Sequence, residues 1–167
     1  MGSGKSYVSL EVAKLFNDFE QVDIDKKIVA SDGREISQIF KEEGEPFFRE
    51  LETNITFQYC QKEKQIISTG GGVVLNAENR KNISVNGLVF WLNTSPNVIY
   101  ERIKDDSHRP LINTGASKLE IIATIERMLE ARLPLYLESA KVIINTDNLT
   151  GEQVAAAICE EYQRLYV

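Results

Sequence analysis

The sequence feature that most constrains the fold is a run of glycine, serine and lysine that opens directly into a helical pattern. Residues 2–6 read Gly-Ser-Gly-Lys-Ser, and apolar residues between Val8 and Phe16 then recur on one helical face. Glycines expose backbone N–H groups to phosphate, a lysine reaches terminal phosphates, and a serine hydroxyl can ligate Mg²⁺. The positive end of the helix points to the same place. Because a flexible linker with these letters would not begin a helix at once, we predict a phosphate-binding loop.

This motif is incomplete at its amino end. The first glycine of the full GxxxxGK[ST] pattern would fall before Met1, as would the strand that delivers the chain to the loop. Such a strand would be central and would bury about three or four apolar side chains at roughly 1.5–3 kcal/mol each. That loss is comparable with the usual domain stability of about 5–15 kcal/mol. We therefore expect the natural protein to begin upstream, with Met1 as an internal methionine of the loop.

The composition argues against several classes of protein. The 167 residues, 43% of them hydrophobic, suit one compact domain, and a net charge of −6 offers no broad cationic surface for nucleic acid or an anionic membrane. No stretch is long and apolar enough for a membrane span or a signal peptide. Cys60 and Cys159 lack the spacing of a zinc site or a disulfide framework. We expect a cytoplasmic monomer whose partners are small molecules, without nucleic-acid or membrane partners.

Short apolar runs alternate with helical patterns along the chain. The candidate strands lie around 21–24, 66–68, 88–92 and 142–144. The candidate helices after the phosphate loop include 45–61, 96–103, 119–132 and 152–166. The polar stretch 104–118 is predicted to be a mobile loop. The alternation predicts an α/β fold, a three-layer sandwich around a parallel sheet that lacks its first strand, in one domain over residues 1–167.

Two aspartates and an arginine are candidates for the site of the second substrate. Asp23 and Asp25 are two apart, so in an extended strand both carboxylates project on one side, one toward a metal shell and the other toward a substrate hydroxyl. A solvated aspartate pair is the alternative. Arg49 follows Phe48, whose apolar bulk would strengthen an ion pair with a carboxylated ligand. Taken alone, such an arginine is more often a surface residue.

Three glycines and two further arginines complete the candidates. Gly70–Gly72 follow a strand, where glycine lets a ligand approach the backbone, although tight turns use glycine as readily. Arg109 lies in the polar loop and could fold over transferring phosphates when the loop closes. Arg132 could bind a carboxylate or cap helix carbonyls. His108 has no Cys, Asp or His at ligand spacing, so we interpret it as a solvated side chain.

Together and in this order, the segments resemble the shikimate kinases from one end of the chain to the other. The matching segments are MGSGKS, VDID, GEPFFRELE, STGGGVV, HRPL and RLPLY. The resemblance implies the P-loop fold of the nucleoside monophosphate kinases, with a substrate-binding helical insert at about 24–52 and a lid at about 104–118. It also implies an enzyme of aromatic amino acid biosynthesis that transfers the γ-phosphoryl group of ATP to the 3-hydroxyl of shikimate.

The same resemblance implies roles for individual residues. Those implied around ATP and its Mg²⁺ are Gly2, Ser3, Gly4, Lys5, Ser6 and Tyr7 at the phosphates, Arg102 at the adenine, Arg109 at the transferring phosphate, and Ser6 with Asp23 at the metal. Those implied around shikimate are Asp25 at its hydroxyls and as general base, Arg49 and Arg132 at its carboxylate, Gly70, Gly71 and Gly72 beside it, Phe40 and Phe48 as an apolar wall, and Glu52 orienting Arg49.

The sequence departs from the family in two places and leaves two rival functions open. It lacks the first strand with the first loop glycine, and it carries Tyr7 where threonine is common. One rival is another small-molecule P-loop kinase, for a sugar acid or a nucleotide, which the three glycines combined with two carboxylate-binding arginines argue against. The other is a catalytically degenerate shikimate-binding domain, in which Lys5, Ser6, Asp23 and Asp25 would be relics.

Overall fold

The computed structural model describes residues 2–105 and 115–166, and in these residues helices alternate with short strands. In chain order the elements are α1 (Lys5–Leu15), β1 (Glu20–Asp23), α2 (Ile24–Asp32), α3 (Ile36–Glu42), α4 (Gly44–Cys60), β2 (Gln65–Ser68), a 3₁₀ turn (Val73–Leu75), α5 (Ala77–Asn86), β3 (Phe90–Asn93), α6 (Pro96–Ile103), α7 (Lys118–Ser139), β4 (Val142–Asn145) and α8 (Gly151–Tyr166).

The strands form two parallel pairs. β1 pairs with β2, which places Asp23 beside Ser68, and β3 pairs with β4, which places Asn93 beside Asn145. Within residues 2–105 and 115–166, β2 and β3 are not hydrogen-bonded to each other. Parallel strands joined by helical connections confirm the predicted α/β fold.

Three apolar clusters hold these elements together. The first packs α1 and α8 against β3 and β4, with Val8 and Val154 at its centre. The second packs α2, α3 and α4 on β1 around Val22, and the third joins α6 to α7 around Ile125. Each fully buried aliphatic side chain contributes roughly 1.5–3 kcal/mol. The first cluster fixes the amino end of α1, which carries the glycine-rich loop, against the strands.

The stretch that contains the two aspartates is not one continuous strand. β1 ends at Asp23 and α2 begins at Ile24, so Asp25 lies in the first turn of a helix. The Asp23 backbone is extended (φ −110°, ψ 114°), and its Oδ1 accepts the Lys26 N–H at 3.3 Å, which caps α2. The prediction that both carboxylates project from one strand face was therefore wrong.

The long helix α7 also differs from its prediction. The helix expected to end at Arg132 continues through Pro134 to Ser139. An internal proline removes one helical hydrogen bond, and the following turn is supported by the Tyr136 ring, which stacks on Trp91 with 5.4 Å between centroids. Arg132 thus lies inside the helix and does not cap its end, so the capping alternative is wrong.

Helix α5 has no counterpart among the predicted elements. Its residues are mostly polar, so it lacks the apolar periodicity that reveals a helix. The side chain of Asn76 accepts the Glu78 N–H at 2.8 Å and donates to Thr53 of α4 at 3.1 Å. A cap and a contact with α4 therefore position this helix, and only the cap is a local signal.

The sequence predicted a substrate-binding insert and a lid, and the described residues cover the insert and only part of the lid. The insert at about 24–52 comprises α2, α3 and the first half of α4, which share the second apolar cluster. The lid at about 104–118 lies mostly outside the described residues. None of the helices in 2–105 and 115–166 combines the length and the apolar character needed to cross a bilayer.

Candidate active site

The glycine-rich loop has the backbone geometry of an anion site at a helix start. Gly2 and Gly4 have φ values of +69° and +82°, a conformation that glycine adopts without strain. The carbonyl of Gly4 accepts the Val8 N–H at 2.9 Å, so α1 begins directly after it. The Lys5 ammonium donates to the Ser3 hydroxyl at 3.3 Å, which places this cation over the loop. Backbone N–H groups, a helix N-terminus and a lysine here converge on one place.

One cavity joins this loop to the carboxyl ends of the strands. Ser3 and Lys5 line it together with residues 69–71, which follow β2, and Thr94, which follows β3. Since β1 and β2 end side by side, Asp23 lies at the same edge. This edge is where α/β proteins of this kind bind their ligands.

The glycine turn after β2 lies against three charged side chains. A methyl group at Gly72 would be 2.5 Å from Nη1 of Arg49. One at Gly70 would be 2.9 Å from Oε1 of Glu52 and 3.2 Å from Oδ1 of Asp25. Residues far apart in the sequence are thus packed so closely that a side chain at Gly70 or Gly72 would displace one of these charged groups. The turn predicted as a ligand contact is also where the predicted arginine and aspartate meet.

Arg49 is held by two glutamates of its own helix. Its Nη1 donates to Oε2 of Glu52 at 2.7 Å, and its Nη2 donates to Oε1 of Glu45 at 2.9 Å, the partners that spacings of three and four residues bring together. Burial disfavours the charge, but the two carboxylates outweigh it and raise the pKa of Arg49. The guanidinium is a fixed cation beside Gly72, so Glu52 orients Arg49 as the resemblance implies.

Glu52 is an unusual partner because it is almost fully buried, with 1% of its side chain exposed. Burial raises the pKa of its carboxyl group, and Arg49 opposes that rise. Its Oε1 accepts no hydrogen bond from the described residues and lies near Gly70 and Asp25. A buried, incompletely satisfied oxygen beside a second carboxylate favours sharing a proton or accepting one from a ligand.

The middle glycine of the turn is held from α7. The carbonyl of Gly71 accepts the Tyr136 hydroxyl at 2.7 Å and Nη1 of Arg132 at 3.4 Å. Tyr136 was not among the predicted site residues, because nothing in its sequence context distinguishes it from a core aromatic. Four charged side chains therefore meet at the three glycines of this turn. We call the group the charged cluster; its members are Asp25, Arg49, Glu52, Gly70, Gly71, Gly72 and Arg132.

Two phenylalanines lie next to Arg49. The rings of Phe40 and Phe48 are 4.7 Å apart between centroids, and the Arg49 guanidinium carbon is 5.2 Å from the Phe48 ring. Phe48 is buried and Phe40 is partly exposed, so the pair extends from the core to the surface. The pair thus lies beside Arg49, and its role as the apolar wall of the acceptor site, which the resemblance implies, stays a prediction.

A second pocket continues from the phosphate loop toward α8. Ser3 and Gly4 line one side of it, and Arg102 and Thr146 line another. Arg102 donates from Nη2 to the Thr146 carbonyl at 3.0 Å, which fixes its guanidinium at the pocket. The structure therefore brings Arg102 next to the phosphate loop, with Thr146 as a partner that the sequence did not indicate. The contact of Arg102 with adenine stays a prediction.

Comparisons with known proteins show the family of this chain. The family model for shikimate kinase matches residues 1–163. The chain belongs to the shikimate kinase family. A shikimate kinase from Thermodesulfovibrio yellowstonii is 42% identical over 165 residues, which span 99% of this chain and 92% of that protein.

Solved structures of shikimate kinases share the fold. One from Acinetobacter baumannii, in complex with shikimate, has a TM-score of 0.91 at 29% identity and covers 100% of this chain and 90% of its own. One from Aquifex aeolicus has a TM-score of 0.82 at 29% identity, with 100% and 94% covered. The predicted family and the P-loop α/β fold are confirmed.

Not every predicted residue of this shikimate kinase family member can be located. The structure places the phosphate loop, Arg102, Gly70 and Gly71 around two adjoining pockets, and it packs Asp25, Arg49, Glu52 and Arg132 against the glycine turn. Arg109, the predicted lid arginine, and His108 lie outside the described residues.

The donors at the carboxyl edge also fit the Mg²⁺ ion that kinases use with ATP. Mg²⁺ prefers hard oxygen ligands and retains several waters. Ser6 offers a hydroxyl in the first turn of α1, and Asp23 offers a carboxylate whose recorded hydrogen bond comes from the backbone of α2. One carboxylate and one hydroxyl suit a hydrated Mg²⁺ ion shared with phosphate oxygens.

Proposed function

We propose that this chain is an ATP-dependent shikimate kinase that transfers the γ-phosphoryl group of ATP to the 3-hydroxyl of shikimate in aromatic amino acid biosynthesis. The observation that carries the proposal is the charged cluster, packed on the glycine turn that lines one cavity with Ser3 and Lys5. A phosphate loop alone would fit many kinases. Two arginines packed against a turn that lines the same cavity favour a small acid as acceptor.

The carboxylate of shikimate is assigned to Arg49 and Arg132. Arg49 is oriented in advance by Glu52 and Glu45, so little side-chain freedom is lost when it binds an anion. Arg132 contacts the Gly71 carbonyl through a long hydrogen bond of 3.4 Å, which a carboxylate can replace at little cost. The Acinetobacter baumannii relative was solved with shikimate, which supports this acceptor.

The transfer step is assigned to the edge where the two pockets adjoin. Asp25, in the first turn of α2, accepts the proton of the attacking hydroxyl as its oxygen bonds to the γ-phosphorus. The bond from that phosphorus to the bridging oxygen breaks, and ADP leaves with the electron pair. Gly2, Gly4 and Lys5 stabilise negative charge on the phosphate oxygens.

The remaining roles follow the same assignment. Mg²⁺, held by Ser6 and through water by Asp23, supplies charge neutralisation on the phosphates when bound. Arg109 contacts the transferring phosphate, and Arg102 lies against the adenine. The protein acts as a single-domain monomer in the cytoplasm, and its partners are ATP and shikimate.

The direct test is ADP release by the 167-residue chain with Mg-ATP as shikimate is titrated in. A sugar acid of similar size serves as the control acceptor. Saturable ADP release with shikimate and background release with the sugar acid is the expected result. Equal release with both acids would overturn the acceptor. No release above background, with both ligands bound, would favour the degenerate binding domain.

A further inference from the structure

The pocket between the phosphate loop and α8 has an aromatic wall, Tyr7, which the resemblance puts among the ATP-binding residues without explaining what a tyrosine does there. It has a volume of about 290 Å³ and is lined by Ser3, Gly4, Tyr7, Val8, Arg102, Thr146, Leu149, Gly151 and Val154. This is near the lower end of the range of about 300–1,000 Å³ for small-molecule sites, which suits one planar group. Since it adjoins the phosphate loop, the group would be the base of a nucleotide whose phosphates occupy that loop.

Tyr7 is packed tightly onto the first residue of α8. A methyl group at Gly151 would overlap the Cδ1 and Cε1 atoms of the Tyr7 ring. Gly151 is the first residue of α8, and the Tyr7 ring occupies the space that a side chain there would fill. The ring at position 7 and the missing side chain at position 151 are therefore matched to each other.

The hydroxyl of Tyr7 adds a second link between the same two helices. It donates to Oε1 of Glu152, the next residue of α8. The Glu152 carboxylate raises the pKa of Tyr7 to about 12, so this hydroxyl keeps its proton throughout the neutral range. The ring is 49% exposed, and so it is not a core residue whose removal would collapse the fold.

The opposite wall of the pocket is fixed independently. Arg102 donates to the Thr146 carbonyl at 3.0 Å, and the Thr146 hydroxyl lies 2.7 Å from that of Thr94. The Thr150 hydroxyl caps α8 by accepting the Gln153 N–H at 3.3 Å. This wall is held from α6 and β3, and on the α1 side of the pocket Tyr7 contacts Gly151 and Glu152.

We propose that Tyr7, held by Gly151 and Glu152, is a positioning residue that joins α1 to α8 and sets the pocket for the nucleotide base of ATP. The proposal rests on the kinase function proposed above but concerns the donor alone. It assigns a purpose to the position where this chain departs from the threonine common in the family.

The first test separates donor from acceptor kinetics. Tyr7→Thr should raise the KM for ATP about five- to tenfold, with kcat and the shikimate KM unchanged within about twofold. Tyr7→Phe keeps the ring and loses the link to Glu152, so it should raise the ATP KM only about twofold. Leu15→Thr, a change at a similarly exposed residue at the other end of α1, is the matched control and should alter neither KM. An unchanged ATP KM in Tyr7→Thr would overturn the proposal.

The second test uses the match between Tyr7 and Gly151. In the parent chain, Gly151→Ala should raise the ATP KM about fivefold, because the new methyl group displaces the ring. In the Tyr7→Thr background, Gly151→Ala should raise the ATP KM by less than about twofold, because threonine removes the overlap. An equal rise of the ATP KM in the two backgrounds would show that Tyr7 and Gly151 act independently and would contradict the proposal.

Equilibrium binding makes the test independent of the acceptor. The dissociation constant of Mg-ADP, measured by calorimetry on the same variants, should follow the ATP KM values. If the parent chain binds Mg-ADP but does not turn over shikimate, the proposed function fails while the Tyr7 effect is still measured. If the parent chain does not bind Mg-ADP, the proposal on Tyr7 is overturned as well.

Discussion

The phosphate loop and the glycine turn of the charged cluster line one cavity, but the two regions differ in the kind of donor that each provides. The loop is a local structure of consecutive residues, and its main donors are backbone N–H groups freed by Gly2 and Gly4. The charged cluster is assembled from α2, α4, α7 and the turn after β2, and its donors are side chains. A site made of backbone tolerates changes of side chain, whereas a site made of packed side chains depends on each neighbour.

The phosphate loop and the charged cluster also differ in how deeply their charged groups are buried. Glu52 is 1% exposed and shares its charge with Arg49, whereas Lys5 reaches a serine hydroxyl beside the open end of a helix. Ion pairs in a low dielectric are costly to break, since the partner keeps a buried charge. Changes in the charged cluster should therefore affect both shikimate binding and stability, and changes in the loop should affect mainly ATP.

The largest effect is expected at the point where the two regions meet. Asp25→Asn removes the proposed base while preserving size and the start of α2, so kcat should fall by about 10²- to 10⁴-fold. Steady-state kinetics give kcat, and circular dichroism checks that the fold is retained. A variant that kept nearly full kcat would remove Asp25 from the base role.

The second largest effect is expected on the KM for the acceptor, shikimate. Arg49→Ala removes charge-assisted hydrogen bonds worth about 1.5–3 kcal/mol each, so the shikimate KM should rise by about 10- to 100-fold with the ATP KM nearly unchanged. Arg127→Ala is the matched control, because Arg127 is an exposed arginine of α7 that contacts only its own helix in the described residues. Equal losses for both substrates would contradict the separation of the two regions.

A glycine pair tests the close packing directly. Gly72→Ala would place a methyl group 2.5 Å from Arg49, whereas Gly87→Ala would meet no atom closer than 3.5 Å. Overpacking costs about 1–3 kcal/mol, so Gly72→Ala should lower Tm by several degrees and raise the shikimate KM. Thermal unfolding and kinetics should leave Gly87→Ala close to the parent chain. Equal Tm and shikimate KM values for the two variants would contradict the close packing of Gly72 against Arg49.

The smallest effect is a pH dependence of stability from Glu52, which faces Arg49, Asp25 and Arg132. Its pKa is raised in the folded state by burial, so the folded chain holds this proton more tightly than the unfolded chain. The associated stability is present below the unfolded pKa and is lost as pH rises through the folded pKa. The free energy of unfolding, taken relative to Glu52→Gln, should therefore decrease from acid to neutral pH in urea titrations. An increase would reverse the assigned direction.

The sequence predicted the phosphate loop and the alternation of strands and helices because these depend on neighbours in the chain. It missed α5, whose polar residues are placed by an asparagine cap and by contact with α4. It also continued the strand past Asp23, because a side-chain cap competes with strand extension and leaves no apolar signal. Both errors occur where an asparagine or aspartate side chain caps a helix, which apolar periodicity does not reveal.

The charged cluster was predicted only through the resemblance to a family. Taken singly, Arg49 and Arg132 could not be told from surface or capping arginines. Their roles depend on contacts with Gly72 and Gly71, between 23 and 61 residues away, which no local pattern encodes. Tyr136, which holds the same turn from α7 across 65 residues, was missed for that reason.

The measurement that tests the central claim most directly is calorimetric binding of shikimate and of Mg-ADP, each alone, to Arg49→Ala and Lys5→Ala. Arg49→Ala should lose shikimate binding and retain Mg-ADP binding, and Lys5→Ala should show the reverse. This double separation is the result that two distinct regions on one cavity predict. Loss of both ligands in either variant, with the fold intact, would contradict the account.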